Sequence, residues 1–363
     1  MKNKKFRTFF KIIRPFLAIF IMFAVSTVCV KAFPNFFEKL TVYSALALSP
    51  KQSAEYVAQS FFDEKEEESI EVTVPPKEEQ TSSQSTSSSE VQVIAPQGSG
   101  KISEYAIAPS KTSSKIIWHN SAAFSNTSNV SNTEILKILK QNPTIKLTKG
   151  KPQVLIYHTH ATESYELKDL GYYESGSSAR TQDKALNMVR VGDEIAKALE
   201  EAGIEVIHDT GLYDYPSYNG AYNRSAAKVN EYLKKYPSIT VTLDIHRDAI
   251  ENSGTRVKPT ATINGKKAAQ VMIIAGVDDG TMNFPNWREN MKFASSLQQE
   301  MEEKYAGLTR SVMVCHRRYN MYLTNNSLLI EVGGHANTLD EAIYSGEMIG
   351  KSLIGVLKEH GTK

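Results

Sequence analysis

Three stretches of this 363-residue chain set metal-binding or proton-transferring side chains directly after apolar runs. Val154-Leu155-Ile156-Tyr157 leads into His158, Thr159, His160 and then Glu163; Thr240-Val241-Thr242-Leu243-Asp244-Ile245 leads into His246-Arg247-Asp248; Leu328-Leu329-Ile330 leads into Glu331-Val332-Gly333-Gly334-His335. Imidazole and carboxylate are the ligand types of a hydrolytic zinc site. Such a site takes two ligands at short spacing and a third from far along the chain, and leaves one position open to water. Two sets fit that pattern: His160, Glu163 and His246, or His158, His160 and His246 with Glu163 behind them as an orienting partner. Glu331 is the candidate general base, because a carboxylate placed after three aliphatic residues is costly to bury unless it is paired or put to use. Asp244 shares a strand face with His246 and either orients it or pairs with Arg247. Taken singly, each residue has a commoner structural role; the coincidence of three strand ends carries the reading.

The elements that must position these groups alternate in type. Strands are expected at Val154 to Tyr157, Ile204 to His208, Ile239 to Ile245, Val271 to Ala275, Val312 to Cys315 and Ser327 to Val332. Helices are expected at Ala185 to Ala202, Tyr222 to Tyr236, Trp287 to Tyr305 and Leu339 to Leu357. This alternation predicts an α/β sandwich around a mostly parallel sheet, whose ligands gather beyond the carboxyl ends of the strands. If the first strand continues far enough, period-2 alternation puts Val154, Ile156, His158 and His160 on one face. Tyr213, Tyr215, Tyr218 and Tyr222 lie in a loop with Pro and Gly and are expected to pack on the domain rather than stack on a ligand. His316-Arg317-Arg318 is expected to cap a strand end. His335 is a secondary candidate for a ligand or donor, and His208 is read as structural.

Composition bounds the setting. The formal charge of +2 provides no basic surplus for nucleic acid. Residues 1–14 are basic without an acidic residue, and Pro15–Val30 carries no charge, spanning roughly 24 Å at about 1.5 Å per residue. This reads as an uncleaved transmembrane anchor over 15–32 with the basic segment 1–14 inside and the rest of the chain outside. A juxtamembrane segment is expected over 33–62, then a disordered linker rich in acidic residues and Ser over 63–100. A partly ordered extension follows over 101–148, with a short helix near Thr133 to Gln141, and the main domain occupies 149–360. Cys29 in the anchor and Cys315 in a predicted strand do not pair, so core packing or metal holds the fold.

Tyr157-His158-Thr159-His160-Ala161-Thr162-Glu163-Ser164-Tyr165, Leu243-Asp244-Ile245-His246-Arg247-Asp248-Ala249 and Leu329-Ile330-Glu331-Val332-Gly333-Gly334 resemble the stage II sporulation protein P family. That family comprises peptidoglycan hydrolases related to the zinc N-acetylmuramoyl-L-alanine amidases, and the likeness covers about residues 145 to 360. The resemblance implies a three-layer sandwich of the zinc amidase type, with zinc held by His160, Glu163 and His246 and Glu331 catalytic. It leaves His158 unplaced. It also implies cleavage of the amide between N-acetylmuramic acid and L-alanine, endopeptidase action on cross-links, and a role in thinning septal peptidoglycan during engulfment. The implied partners are the stage II sporulation proteins D and M. A metallopeptidase or deacetylase with another extracellular substrate would share the site, whereas a wall-binding scaffold has no use for a buried Glu331.

Overall fold

The computed structural model describes residues 95–96, 99–174 and 179–362, all within the unit Asp63–Lys363. The basic segment, anchor and juxtamembrane calls, and nearly all of the linker call, lie outside the described residues. Among the described residues no helix is long and apolar enough to cross a membrane.

The chain forms β1 (Gly100–Tyr105), β2 (Ile116–His119), β3 (Ala122–Asn126), α1 (Asn132–Leu139), β4 (Ile145–Lys146), β5 (Val154–Tyr157) and β6 (Tyr172–Tyr173). Next come α2 (Met188–Glu201), β7 (Val206–His208), α3 (Ala221–Lys235), β8 (Val241–Asp248), β9 (Glu251–Asn252), β10 (Thr255–Ile263) and β11 (Lys266–Ala269). The remainder is β12 (Val271–Gly276), α4 (Trp287–Lys304), β13 (Val312–Cys315), the 3-10 turn η1 (Met321–Leu323), β14 (Ser327–Gly334), α5 (Leu339–His360) and β15 (Gly361–Thr362).

Eight strands make the main sheet in the order β2-β3-β13-β12-β14-β8-β5-β7. Its neighbours run parallel except β2 with β3 and β12 with β14, so the fold is mixed α/β with a mostly parallel sheet. Helices cover both faces. Val154 and Ile156 share a core with Met188, Val191, Ile195 and Leu199 of α2, while the alternate residues Leu155 and Tyr157 pack with Val229 of α3 and with Ile239. Those four α2 side chains recur at helical spacing, and burying each contributes roughly 2 kcal/mol. Asn187 caps α2 by accepting from the Val189 N–H, and Gly203 ends it at a φ of 78°. Helix α5 opens on a reciprocal capping box between Thr338 and Glu341; α1 is capped by Ser131.

Strands β2 and β3 fall within the 101–148 extension yet belong to the main sheet, β3 running parallel to β13. A second sheet, in the order β11-β10-β1-β6 with β9 also paired to β10, has no counterpart among the expected strands. Lys258 of β10 is 1% exposed and anchors this sheet. Its ammonium meets Glu104 at 3.2 Å, Asp169 at 2.9 Å and Glu341 at 2.8 Å, joining β1, the loop before β6 and α5.

Candidate metal centre

The parallel strands β5, β8 and β14 point their carboxyl ends the same way, and the candidate residues collect there. Strand β5 stops at Tyr157, and the chain then turns so that the Glu163 N–H donates to the His160 carbonyl at 3.1 Å. The expected common face for His158 and His160 is therefore not found. His158 continues the Val154 and Ile156 side toward α2, where its Nε2 lies 2.8 Å from His208 Nε2 and its Nδ1 lies 3.0 Å from the Ile245 carbonyl. With both ring nitrogens so used, His158 stands outside the cluster, and the three-histidine set is not assembled. Burial and the neighbouring His208 push its pKa down to about 3, so it stays neutral.

His160, Glu163 and His246 do come together, their ligand atoms lying within 4.8 Å of one another. Glu163 is central: Oε1 is 3.7 Å from His160 Nδ1 and Oε2 is 3.6 Å from His246 Nδ1. These separations are too long for hydrogen bonds. They approach the edge of about 3.4 Å expected between tetrahedral ligands each about 2.1 Å from a zinc ion. Two imidazoles and a carboxylate, all at most 5% exposed, form a donor set that fits zinc.

The charges fit as well. Burial alone would raise the Glu163 carboxyl, but His246, Arg247 and His160 outweigh it and hold the group well below the ordinary range. Its Oε2 accepts the Arg247 backbone N–H at 3.2 Å, and Arg180 Nη2 lies 3.4 Å from Oε1. His246 Nε2 sits 2.9 Å from Asp244 Oδ1, an ionic contact off the hydrogen-bond direction. Burial works against a charged His246, yet Asp244 and Glu163 together hold it well above its ordinary pKa. Two buried carboxylates thus call for positive charge at this point, which a dication would satisfy equally.

Glu331 is the register partner of His246 across β14 and β8, which sets the two side chains on the same face. It is buried, and its Oε2 has no hydrogen-bond partner. Burial first, and Asp248 second, push its pKa up to about 8. Asp248 is itself held by Arg310 at 2.8 Å. Just beyond, Gly333 takes a φ of 66° as the pairing shifts between Glu331 and Gly334, a bulge that few other residues would adopt. His335 is buried beside it, with Nε2 3.7 Å from Glu251 and no hydrogen-bond partner on Nδ1. Burial, Arg247 and Arg256 push His335 down to about 3.

The tyrosine loop packs on this centre. Tyr218 stacks on His160 with ring centroids 4.5 Å apart, and the buried Tyr222 meets both His160 and His246. Tyr215 remains 49% exposed. Arg180 lies over Tyr218 at 4.7 Å and pairs with Asp214 at 2.8 Å; beyond it opens a cavity of about 350 Å³ lined by Tyr165, Leu167, Leu170 and Tyr172. The sequence reading missed Arg180 and Asp214, because neither follows an apolar run and only the folded chain brings them to Glu163. His316 pairs with Asp279 at 3.0 Å, and Arg318 donates to the Met282 carbonyl at 3.3 Å, tying down the end of β13.

Among solved structures, the chain is similar to an N-acetylmuramoyl-L-alanine amidase from Clostridium difficile 630, with 16% identity over 59% of this chain and 100% of that one and a TM-score of 0.36. It is also similar to the amidase AmiC2 of Nostoc punctiforme, with 14% identity over 58% and 99% of the two chains and a TM-score of 0.34. Likeness at that level establishes no chemistry for this chain. Stage II sporulation protein P of Bacillus subtilis (strain 168) is 34% identical over 213 residues, 56% of this chain and 50% of that protein. The chain thus spans about half the length of this curated relative. The family model described as stage II sporulation protein P matches residues 33–353, and on that match the chain belongs to the stage II sporulation protein P family.

Proposed function

We propose that this chain is a membrane-anchored, extracytoplasmic peptidoglycan hydrolase: a zinc-dependent N-acetylmuramoyl-L-alanine amidase with endopeptidase action, working on septal peptidoglycan during sporulation engulfment. In this reading the main sheet with helices on both faces is the three-layer sandwich of a zinc amidase. The N-terminal anchor holds the domain outside the membrane, and the stage II sporulation proteins D and M are its partners. The observation that carries the reading is the buried His160, Glu163 and His246 cluster with Glu331 as the register neighbour of His246.

His160, Glu163 and His246 would hold zinc, which would supply Lewis-acid polarisation for amide hydrolysis. Glu331 takes the proton from the attacking water and delivers it to the departing amine nitrogen. Its raised pKa suits both steps, since a group that ionises near neutrality can accept a proton and return it. Tyr218 stacks on His160 and Arg180 lies over Tyr218, so both cover that imidazole.

The test is digestion of purified peptidoglycan by the detergent-solubilised chain, with the new ends identified by mass spectrometry before chelation, after it, and after zinc return. Free N-terminal alanine that disappears on chelation and returns with zinc supports the amidase. Released acetate would instead indicate a deacetylase, and cleavage confined to cross-links a peptidase. Glu331→Gln should lose at least ~100-fold in rate while still holding zinc; undiminished lysis by that variant would sink the assignment.

A further inference from the structure

Behind His246 runs a line of buried hydrogen bonds that ends far from the metal cluster in sequence. Asp244 Oδ1, in contact with His246 Nε2, also accepts the Thr159 backbone N–H at 2.8 Å, and Asp244 Oδ2 lies 2.6 Å from Thr159 Oγ1. Thr159 Oγ1 is 2.8 Å from Ser225 Oγ of α3, and Ser225 Oγ is 2.8 Å from Asn320 Nδ2, just before η1. None of these side chains is more than 3% exposed.

Chemistry fixes the direction of every proton in this line. An amide nitrogen only donates, and an ionised carboxylate only accepts. Asn320 Nδ2 also meets the Tyr222 carbonyl at 3.1 Å, which requires a donor and so fixes the orientation of the amide. Asn320 therefore donates to Ser225 Oγ, and Thr159 Oγ1 donates to Asp244. The Thr159 oxygen is left to accept from Ser225, at 2.8 Å, in preference to the 3.1 Å alternative from Ser225 to the Tyr222 carbonyl. All protons point toward Asp244, and each donor polarises the next. Asp244, so held, keeps its Oδ1 2.9 Å from His246 Nε2, a contact that sets the position of the imidazole ring. His246 Nδ1 then faces Glu163 at 3.6 Å.

We propose that Ser225 and Asn320 are positioning residues that hold Asp244, through Thr159, against the His246 ring and so set metal affinity from two elements outside the metal motif. The proposal rests on the reading of His246 as a ligand. It is tested on the purified full-length chain by zinc competition against a chromogenic chelator, with thermal unfolding of the metal-free form measured in parallel. Asn320→Asp keeps the shape but replaces the donor by an acceptor, Ser225→Ala cuts the line, and Ser225→Thr restores the hydroxyl. The first two should raise the zinc Kd ~10-fold or more, with Ser225→Thr within about threefold of the parent. Unchanged zinc affinity in folded Asn320→Asp and Ser225→Ala overturns the proposal, and so does a fall in thermal stability alone, which is all that a structural role would produce. If His246→Ala binds zinc as the parent does, it is the ligand reading itself that fails, and this proposal with it.

Discussion

His158 and His160 stand two residues apart and end in different worlds. His158 is wholly buried against α2, neutral, with one nitrogen toward a carbonyl and the other toward His208. His160 lies in the turn that follows β5, faces the carboxylate of Glu163, and is covered by the ring of Tyr218. What separates them is the point at which the strand stops: residue type supplies a capacity, and backbone direction decides what meets it. The same contrast holds for the carboxylates. Glu163 is surrounded by cationic groups and ionises readily, whereas Glu331, buried near Asp248, has its pKa pushed up to about 8.

Substitution should break this pair apart most sharply in metal binding. His246→Ala or His160→Ala is expected to weaken zinc binding at least ~100-fold, while His158→Gln retains one zinc per chain; equilibrium dialysis with metal analysis decides it, and equal losses in all three would merge the two histidines into one site. A smaller effect is expected from the helix that His158 leans on. A Cβ at Gly192 would lie 2.6 Å from His158 Nε2 and 2.5 Å from His208 Nε2, so Gly192→Val should cost about 2 kcal/mol in chemical denaturation without changing zinc stoichiometry in the folded fraction. The smallest, taken over one pH unit, is a pH effect on the metal-free chain. His158 is depressed to about 3 from 6.5, so below 6.5 the unfolded chain binds a proton that the folded chain refuses. Stability attributable to this group is full above 6.5 and falls as pH drops toward 3, by at most ~1.4 kcal/mol per pH unit. Denaturation midpoints between pH 7 and 4 should fall less steeply in His158→Gln than in the parent.

The strands that carry the centre were legible because each is a continuous apolar run, and β5 and β13 appear at the expected residues. Joint occurrence at strand ends drew His160, Glu163, His246 and Glu331 together as candidates, but His158 stood as an alternative ligand to Glu163 until the family resemblance favoured one set. The second sheet was not legible: β10 mixes Lys258 and Pro259 with its β-branched residues, and its pairing with β1 joins segments far apart in the chain. One signal was available there, since Asn264-Gly265 takes φ values of 51° and 76°, the requirement of a tight hairpin between β10 and β11. The role of Arg180 and Asp214 depends wholly on tertiary contact, and period or propensity carries no trace of it.

The union of β1 with β10 has a mechanical consequence. The two strands run parallel through five paired positions, from Lys101 with Thr255 to Tyr105 with Pro259. A pull applied to Gly100 along the β1 axis would load these rungs lengthwise. The rungs then bear load together in shear instead of opening one after another like a zipper. Lys258 and Lys267 grip Glu104 of the same strand, adding electrostatic drag against slippage. Strand β1 is thereby suited to bear traction in shear, and such a pull would load the small sheet before the strands that hold His246 and Glu331.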